Sequence, residues 1–442
     1  MQQVRIGLIG LGTVGSGVYQ AIQKNGALMA SRLGVQFHVA KVAVRDLEKK
    51  RSARVPASIL TTDWAGVVED PEIDLVVELI GGVTTAKSVV LGALRRGKPV
   101  LTANKALLSA HGEELFEAAQ KFKANLYYEA SVAGGIPIIK VLREGLIGNR
   151  VTRLYGIVNG TCNYILSRMK LENAEFGEVL ADAQRMGYAE AEPSLDVDGH
   201  DAAHKTGILA SLAHGFWVNP KDIYCEGIRG ITTQDVRFAG QLGYTIKLLG
   251  IVKKDDCAPS KARKPRAPIQ VTVYPALVPN SHVLASVNDV FNAILARGDI
   301  VGDTLYYGRG AGQDATASAV LSDLADAALD LKCGSHNRVP PFVPHEREGA
   351  VLPIGEIVSR YYVRLNVADK PGTLARIATI LARSKIGISS VIQPEGHEGE
   401  SVPLIFMLHD APNQAVLRAM DKIKKLSVVK GPPTIIRVES FT

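Results

Sequence analysis

At 442 residues, 46% apolar and 21% charged, the chain is longer than one hydrophobic core serves and reads as two or three globular domains. Its 51 Lys and Arg against 44 Asp and Glu leave a charge of only +7, and the one dense basic stretch, "KKDDCAPSKARKPRAP" (253–268), has no interleaved aromatic residue, so nucleic-acid binding is not expected. No run reaches the roughly 20 apolar residues of a membrane span; four cysteines without a C-x-x-C pair argue against a disulfide framework or zinc knuckle and fit a reducing cytoplasm. In chain order, "VRIGLI" (4–9) is short, apolar and β-prone, "GLGTVG" (10–15) follows, and Val14, Val18 and Ile22 then recur at helical spacing. That is strand, tight turn, helix, without the layout of a signal peptide. Strand-like runs at 37–44, 73–80, 98–104 ("KPVLTAN") and 125–132 ("NLYYEASV"), with a helix over 87–98, continue the alternation and imply βαβ units around a parallel sheet.

From about residue 138 the segments change to longer strands, such as 152–160, 247–254 and 268–278, mixed with helices, as in an inserted α+β domain. The basic run 253–268 reads as a solvated tip between two of those strands. Four prolines in 336–357 mark a linker, and residues beyond it follow the order βαββαβ, with Leu374, Ile377, Ile380 and Leu381 as the apolar stripe of the first helix. The expected fold class is therefore α/β: a Rossmann-type doubly wound parallel sheet (1–137, joined by about 309–335), an inserted α+β catalytic and dimerisation domain (138–308), a linker, and a C-terminal βαββαβ domain (358–442).

Gly10, Gly12 and Gly15 form G-x-G-x-x-G between a strand and a helix. The first permits the turn, the second lets the backbone approach a pyrophosphate, and the third allows close helix–strand packing, with Thr13 and Val14 at the helix N-terminus facing the phosphates. At the tip of the second strand, "VAVRDLEKKR" places Arg45 first, with Lys49, Lys50 and Arg51 behind it. This suits the 2′-phosphate of NADP, while Asp46 keeps NAD possible.

The stretch "SLDVDGHDAAHKTGILASLAHG" (194–215) sets Asp201 and Lys205 one helical turn apart, in line with Ile208 and Leu212, so the pair continues an apolar stripe that should point inward. A surface ion pair, a metal site and a catalytic lysine with its orienting carboxylate are all open on this pattern. His200 and His204 have the spacing of a zinc pair, but a hydrolytic zinc helix carries glutamate beside the first histidine, and position 201 is aspartate.

The order of "GLGTVG" (10–15), "VVELIGG" (76–82), "LTANKALL" (101–108), "YEASVAGGIPII" (128–139), "GIVNGTCNYIL" (156–166), "GYAEAEPSLDVDGHDAAHK" (187–205) and "YYGRGAGQDATASAV" (306–320) resembles homoserine dehydrogenase of the long form with a C-terminal ACT domain. The resemblance spans nearly the whole catalytic part, whereas the ACT portion matches a more widely shared module. It implies NAD(P)H-dependent, reversible reduction of L-aspartate 4-semialdehyde to L-homoserine, toward threonine, methionine and isoleucine. It implies Lys205 as proton donor, Asp201 beside it, Lys105 near both nicotinamide and substrate, and Glu190 and Asp196 binding substrate, with Thr161 and Tyr188 as looser matches. Gly312 would close the cofactor site. A monovalent cation such as Na+ would sit mainly on backbone carbonyls at Glu129, Val132, Gly134 and Ile136. The ACT segment, with Asp369 and Gly372 at its first turn, implies an amino-acid effector, L-threonine, and a homodimer or homotetramer. Another NADP-linked aldehyde or amino-acid dehydrogenase would not need the Glu190, Asp196, Asp201 and Lys205 set, and a non-catalytic amino-acid sensor would be expected to have lost Lys205 or Lys105; both are present.

Overall fold

The computed structural model describes residues 2–254, 268–335, 338–346, 348–394 and 401–441, so most of the basic stretch at 253–268 lies outside the described residues. A first sheet of six parallel strands has the order β3-β2-β1-β4-β5-β6, from β1 (Gln2–Ile9), β2 (Val35–Ala43), β3 (Leu60–Thr61), β4 (Leu75–Glu78), β5 (Val100–Thr102) and β6 (Leu126–Tyr127). Helices α1 (Thr13–Leu33), α2 (Trp64–Glu69), α3 (Thr84–Arg95) and α4 (Lys105–Lys121) connect them. With helices over both faces, strands such as Leu75–Val77 are buried all round, which is why they read as unbroken apolar runs. The strand order reverses between β1 and β4, the crevice where such sheets bind ligands.

The run "NLYYEASV" is strand only at Leu126–Tyr127. Beyond Tyr128 its carbonyl is claimed by both the amide and the hydroxyl of Ser131, at 3.0 and 2.6 Å, and this local closure turns the chain into a single 3₁₀ turn.

The chain then enters the second layer through α5 (Ile138–Lys140), β7 (Val151–Ile157), α6 (Gly160–Glu172), α7 (Phe176–Arg185), α8 (Ser194–Val197), α9 (His200–His214), β8 (Tyr224–Cys225), α10 (Thr233–Gln241), β9 (Tyr244–Lys254), β10 (Ile269–Pro279), β11 (Phe291–Gly298) and β12 (Gly302–Arg309). Helix α11 (Gln313–Cys333) returns to the first layer and lies parallel to α1, with Gln313 against Gly17 at one end and Lys332 against Gly34 at the other. The C-terminal part is β13 (Val358–Ala368), α12 (Thr373–Arg383), β14 (Ile388–Ile392), β15 (Ser401–Pro412), α13 (Asn413–Ile423) and β16 (Val429–Val438), the expected βαββαβ order. On α12 the buried residues are Thr373, Ile377 and Leu381; Leu374, assigned to that stripe from sequence, is exposed.

These strands do not form a separate sheet. The order is β12-β11-β7-β9-β10-β16-β13-β15-β14, with β8 also on β10, because β16 runs parallel to β10 through the pairs Ala276–Arg437 and Leu277–Val438. One edge of β10 thus serves two short partners, β8 at Thr272–Val273 and β16 at Ala276–Leu277, and Pro275, which has no amide hydrogen to offer, falls in the gap between them.

Buried ion pairs fasten this seam. Arg364 is bidentate on Asp235, at 2.6 and 3.0 Å, and Tyr362 also donates to that carboxylate. Arg437 reaches Glu226 at 2.8 Å and the Asn413 side-chain carbonyl at 2.9 Å, and lies over the Tyr274 ring. The proline-rich segment read as a linker is strapped to the catalytic body in its described part. Val339, Pro340 and Pro341 accept from Asn125, Arg143 and Tyr128, Phe342 packs on Phe116 and Trp217, and Leu352 donates to the Ile269 carbonyl. Prolines give up donors but keep carbonyls, and those carbonyls make the strap.

Candidate active site

Gly10 adopts φ +105, and a Cβ there would come within 2.6 Å of the Leu79 carbonyl; one on Gly15 would meet the Gly10 carbonyl at 2.1 Å. A Cβ on Gly12 would meet nothing within 4 Å, so the middle glycine borders open space. The N-termini of α1 and α11 lie side by side, and neither Gly12 nor Gly312 offers a side chain to cap them. Two sets of unclaimed helix amides at one end of the first sheet fit a dinucleotide's pyrophosphate. Arg45 is exposed just past β2. Asp46 is already engaged: its carboxylate accepts the Glu48 amide at 2.9 Å and its carbonyl the Arg51 guanidinium.

The chemistry converges where the second layer faces this crevice. Helix α9 is buried round most of its circumference, with Asp201, Lys205 and Ile208 in line on one of its buried faces. Asp201 is shared by two ammonium groups. Its Oδ2 accepts from Lys205 Nζ at 2.8 Å, and its Oδ1 pairs with Lys105 Nζ at 2.9 Å. Lys105 is the first residue of α4, just past the carboxyl end of β5, and Lys205 also donates to the Val158 carbonyl at 2.7 Å. Burial disfavours the ionised Asp201, but the two ammonium groups outweigh it and hold its carboxyl well below the ordinary 3.8. Burial likewise opposes a charge on Lys105, and Asp201 reverses this, raising its pKa above 10.5.

Asn159, at the N-cap of α6, ties a second carboxylate to the cluster. Its Oδ1 accepts the Cys162 amide at 2.8 Å, while Nδ2 donates to Asp196 at 2.8 Å and to Asp201 at 2.9 Å. Asp196 is half-buried, and that burial raises its pKa. The Thr161 hydroxyl donates to the Tyr188 carbonyl at 2.7 Å and lies 3.3 Å from Asp196. Tyr188 meets the site through its backbone; its ring is 45% exposed and packs on Tyr164. Glu190 is exposed, within electrostatic reach of Lys105.

The loop assigned to a cation behaves in a mixed way. Ala133 and Gly134, at φ +56 and +53, curl it back on itself, as an ion wrapped in carbonyls requires. The Glu129 and Ile136 carbonyls each accept one backbone amide, and each keeps a second lone pair. The Glu129 carboxylate faces away from the curl and accepts the Ile139 and Lys140 amides at 2.9 and 2.8 Å; its burial pushes the pKa up to about 7. Carbonyl oxygens of this kind are the ligands that hard cations take.

Comparison with known proteins matches the sequence to two family models, homoserine dehydrogenase, NAD binding domain, over residues 10–129, and homoserine dehydrogenase over residues 137–325. The chain belongs to the homoserine dehydrogenase family. Homoserine dehydrogenases of Pseudomonas aeruginosa and Bacillus subtilis are 44% and 38% identical, over 100% and 99% of this chain and 100% and 99% of their own lengths. The crystal structure of a homoserine dehydrogenase from Thiobacillus denitrificans superposes with a TM-score of 0.91 at 43% identity, over 100% of this chain and 99% of that one. A hyperthermophilic archaeal homoserine dehydrogenase in complex with NADPH aligns with a TM-score of 0.62 at 25% identity, over 74% of this chain and 98% of its own. As a homoserine dehydrogenase the chain is an oxidoreductase with a nicotinamide-dinucleotide domain at its N-terminus.

Sequence reasoning passed over Asn159 as a site residue. The signal was present in "IVNGTC", an asparagine between a strand and a helix, where an N-cap belongs. What the pattern could not show is that the free end of the same amide would bridge two acids.

Proposed function

We propose that the chain reduces L-aspartate 4-semialdehyde to L-homoserine with Lys205 as the proton donor, and that the observation carrying this is the division of Asp201 between Lys105 and Lys205. The dinucleotide, when bound at Gly10, Gly12, Thr13, Val14, Gly15 and Gly312, supplies hydride to the aldehyde carbon. Negative charge then develops on the aldehyde oxygen and must be met at once. Lys205 has three N–H bonds; the Val158 carbonyl and Asp201 hold two, which orients the third for that oxygen. As the O–H bond forms, this N–H bond breaks, and the resulting amine regains a proton from solvent.

Lys105, with its side chain 34% exposed at the crevice, supplies a second positive charge to the oxygen from the cofactor side. Asp196 and Glu190, which leave the three acids of the site one negative charge beyond the two lysines, receive the substrate's ammonium group, with Thr161 and the Tyr188 carbonyl shaping the same wall. Arg45, next to an Asp46 already engaged, favours NADP over NAD. A monovalent cation such as Na+ on the carbonyls of Glu129, Val132, Gly134 and Ile136 would stiffen the loop between the two layers. We further assign 358–442 as an ACT domain that senses L-threonine at the β13–α12 turn, where Gln393 donates to Asp369 at 3.0 Å and Gly372 starts the helix at φ +86, in a cytoplasmic homodimer or homotetramer.

The test is NADPH oxidation driven by aspartate semialdehyde, for wild type and Lys205→Ala. Wild-type turnover with loss in the variant is expected; an inactive wild type that turns over related aldehydes overturns the substrate, and a fully active variant overturns the donor. The same assay with NADH, and with threonine added to wild type and Asp369→Ala, tests the cofactor and effector assignments.

A further inference from the structure

Glu78 ends β4 at the crevice, is fully buried, and among the described residues has no ion-pair partner. A carboxylate in such a place costs several kcal/mol unless hydrogen bonds compensate. Four neutral donors offset this in part, and burial still holds the Glu78 pKa above the ordinary 4.5. The Ile80 amide donates to Oε1 at 2.9 Å, the Gly81 amide and the Asn104 side chain also bond the carboxylate, and the Thr102 hydroxyl donates to Oε2 at 2.6 Å from the neighbouring strand β5.

This last bond has a direction. Because the Thr102 hydrogen is committed to Glu78, its oxygen is left to accept, and it accepts the Asn104 amide at 3.0 Å. Asn104 in turn accepts the Leu107 amide at 3.1 Å, as N-cap of α4, and donates to the Gly82 carbonyl at 2.6 Å. The next residue is Lys105, whose ammonium reaches Asp201. The chain of donors therefore runs from a buried acid in the first layer to the residue that crosses to the second.

We propose that Glu78, through Thr102 and Asn104, is a positioning residue that sets the start of α4 and thereby aims Lys105 at the substrate. This rests on the reading of Lys105 given above. An uncharged packing role would make volume the only thing that matters at position 102; a relay makes the hydroxyl matter. A misplacement of about 1 Å in a reacting group can cost on the order of 100-fold in rate.

The experiment compares Thr102→Val, Thr102→Ser and Glu78→Gln for kcat, KM and dinucleotide affinity, each in wild-type and Lys105→Ala backgrounds, with thermal melting to show that every variant is folded. Thr102→Val should lower kcat roughly 10- to 100-fold with dinucleotide affinity within about threefold, Thr102→Ser should restore most of the rate, and Glu78→Gln, which cannot accept at both oxygens, should resemble Thr102→Val. In the Lys105→Ala background none of them should cost anything further. Full activity in Thr102→Val, equal losses in Val and Ser, or a full additional loss on top of Lys105→Ala overturns the relay while leaving Lys105 in place. Full activity of Lys105→Ala itself overturns the reading of Lys105 and the relay with it.

Discussion

The molecule buries opposite charges in two places and uses them differently. At the seam to the C-terminal part, each arginine has its own carboxylate: Arg364 has both oxygens of Asp235, and Arg437 has Glu226 together with Asn413 and the Tyr274 ring. In the candidate active site one carboxylate, Asp201, is divided between two lysines. The Arg364–Asp235 pair fills both carboxylate oxygens from one guanidinium, and the site does not. Arginine suits the first role because its planar fork fits a carboxylate bidentately, and lysine suits the second because a compact ammonium keeps a donor to give away. A buried ion pair is therefore informative through what its members leave unspent.

Five experiments press on this contrast. Lys205→Ala should lower kcat for aldehyde reduction by 10²- to 10⁴-fold, the usual worth of a positioned acid, with melting temperature little changed, measured by steady-state dinucleotide oxidation and calorimetry. Arg364→Met should do the opposite, costing about 3–5 kcal/mol of stability by stranding Asp235, with kcat per folded molecule retained; a denaturant titration read alongside the rate decides it.

Asp201→Asn sits between these. In the wild type the Asp201 carboxyl lies below its ordinary 3.8, so the stability it contributes is complete above that value and lost only as pH falls through the lower folded pKa. Lys105 lies above its ordinary 10.5, so its contribution is complete below 10.5 and lost as pH rises through the raised value. The pair is thus indifferent to pH across the neutral range. With Asn at 201 the strongest attraction is gone and only the weaker pull of Asp196 and Glu190 opposes burial at Lys105, so the alkaline limb of the pH–rate profile should move down from its wild-type position; an unmoved limb would show that Lys105 does not govern it. The smallest change is expected from Arg364→Met combined with Asp235→Asn, which removes both charges yet keeps a side-chain oxygen for the Thr232 and Tyr362 donors, and should stay within about 2 kcal/mol of wild type. The matching double replacement of Asp201 and Lys205 should remain inactive.

Much of this was legible before any coordinates, and for identifiable reasons. Gly10 and Gly15 are demanded by backbone contacts that no side chain could survive, so the turn is written in residue type. Asp201 and Lys205 share a helix, and a period of 3.6 carries them to one face. Lys105 meets Asp201 only because two layers fold together, and no local pattern encodes that distance. The bond from Arg364 to Asp235 spans 129 residues and was invisible for the same reason. The strap at 338–357 misled in a different way, since prolines that cannot enter a ladder look like a spacer even where their carbonyls hold the chain in place.

The residues just past β16 tie two distant parts of the chain into one folding unit. Phe441 stacks on His282 and packs on Tyr155, and Glu439 pairs with Lys253 at 2.5 Å, so they complete a core whose other members lie far earlier in the sequence. Without β16 and those residues, β10 keeps only β8 on that edge and the socket of Tyr155 and His282 stands open. A chain lacking residues 430–441 would therefore lose more than one strand of its C-terminal part: its catalytic half would be left with an open strand edge and an exposed apolar socket, the features by which aggregation and quality control recognise incomplete folds.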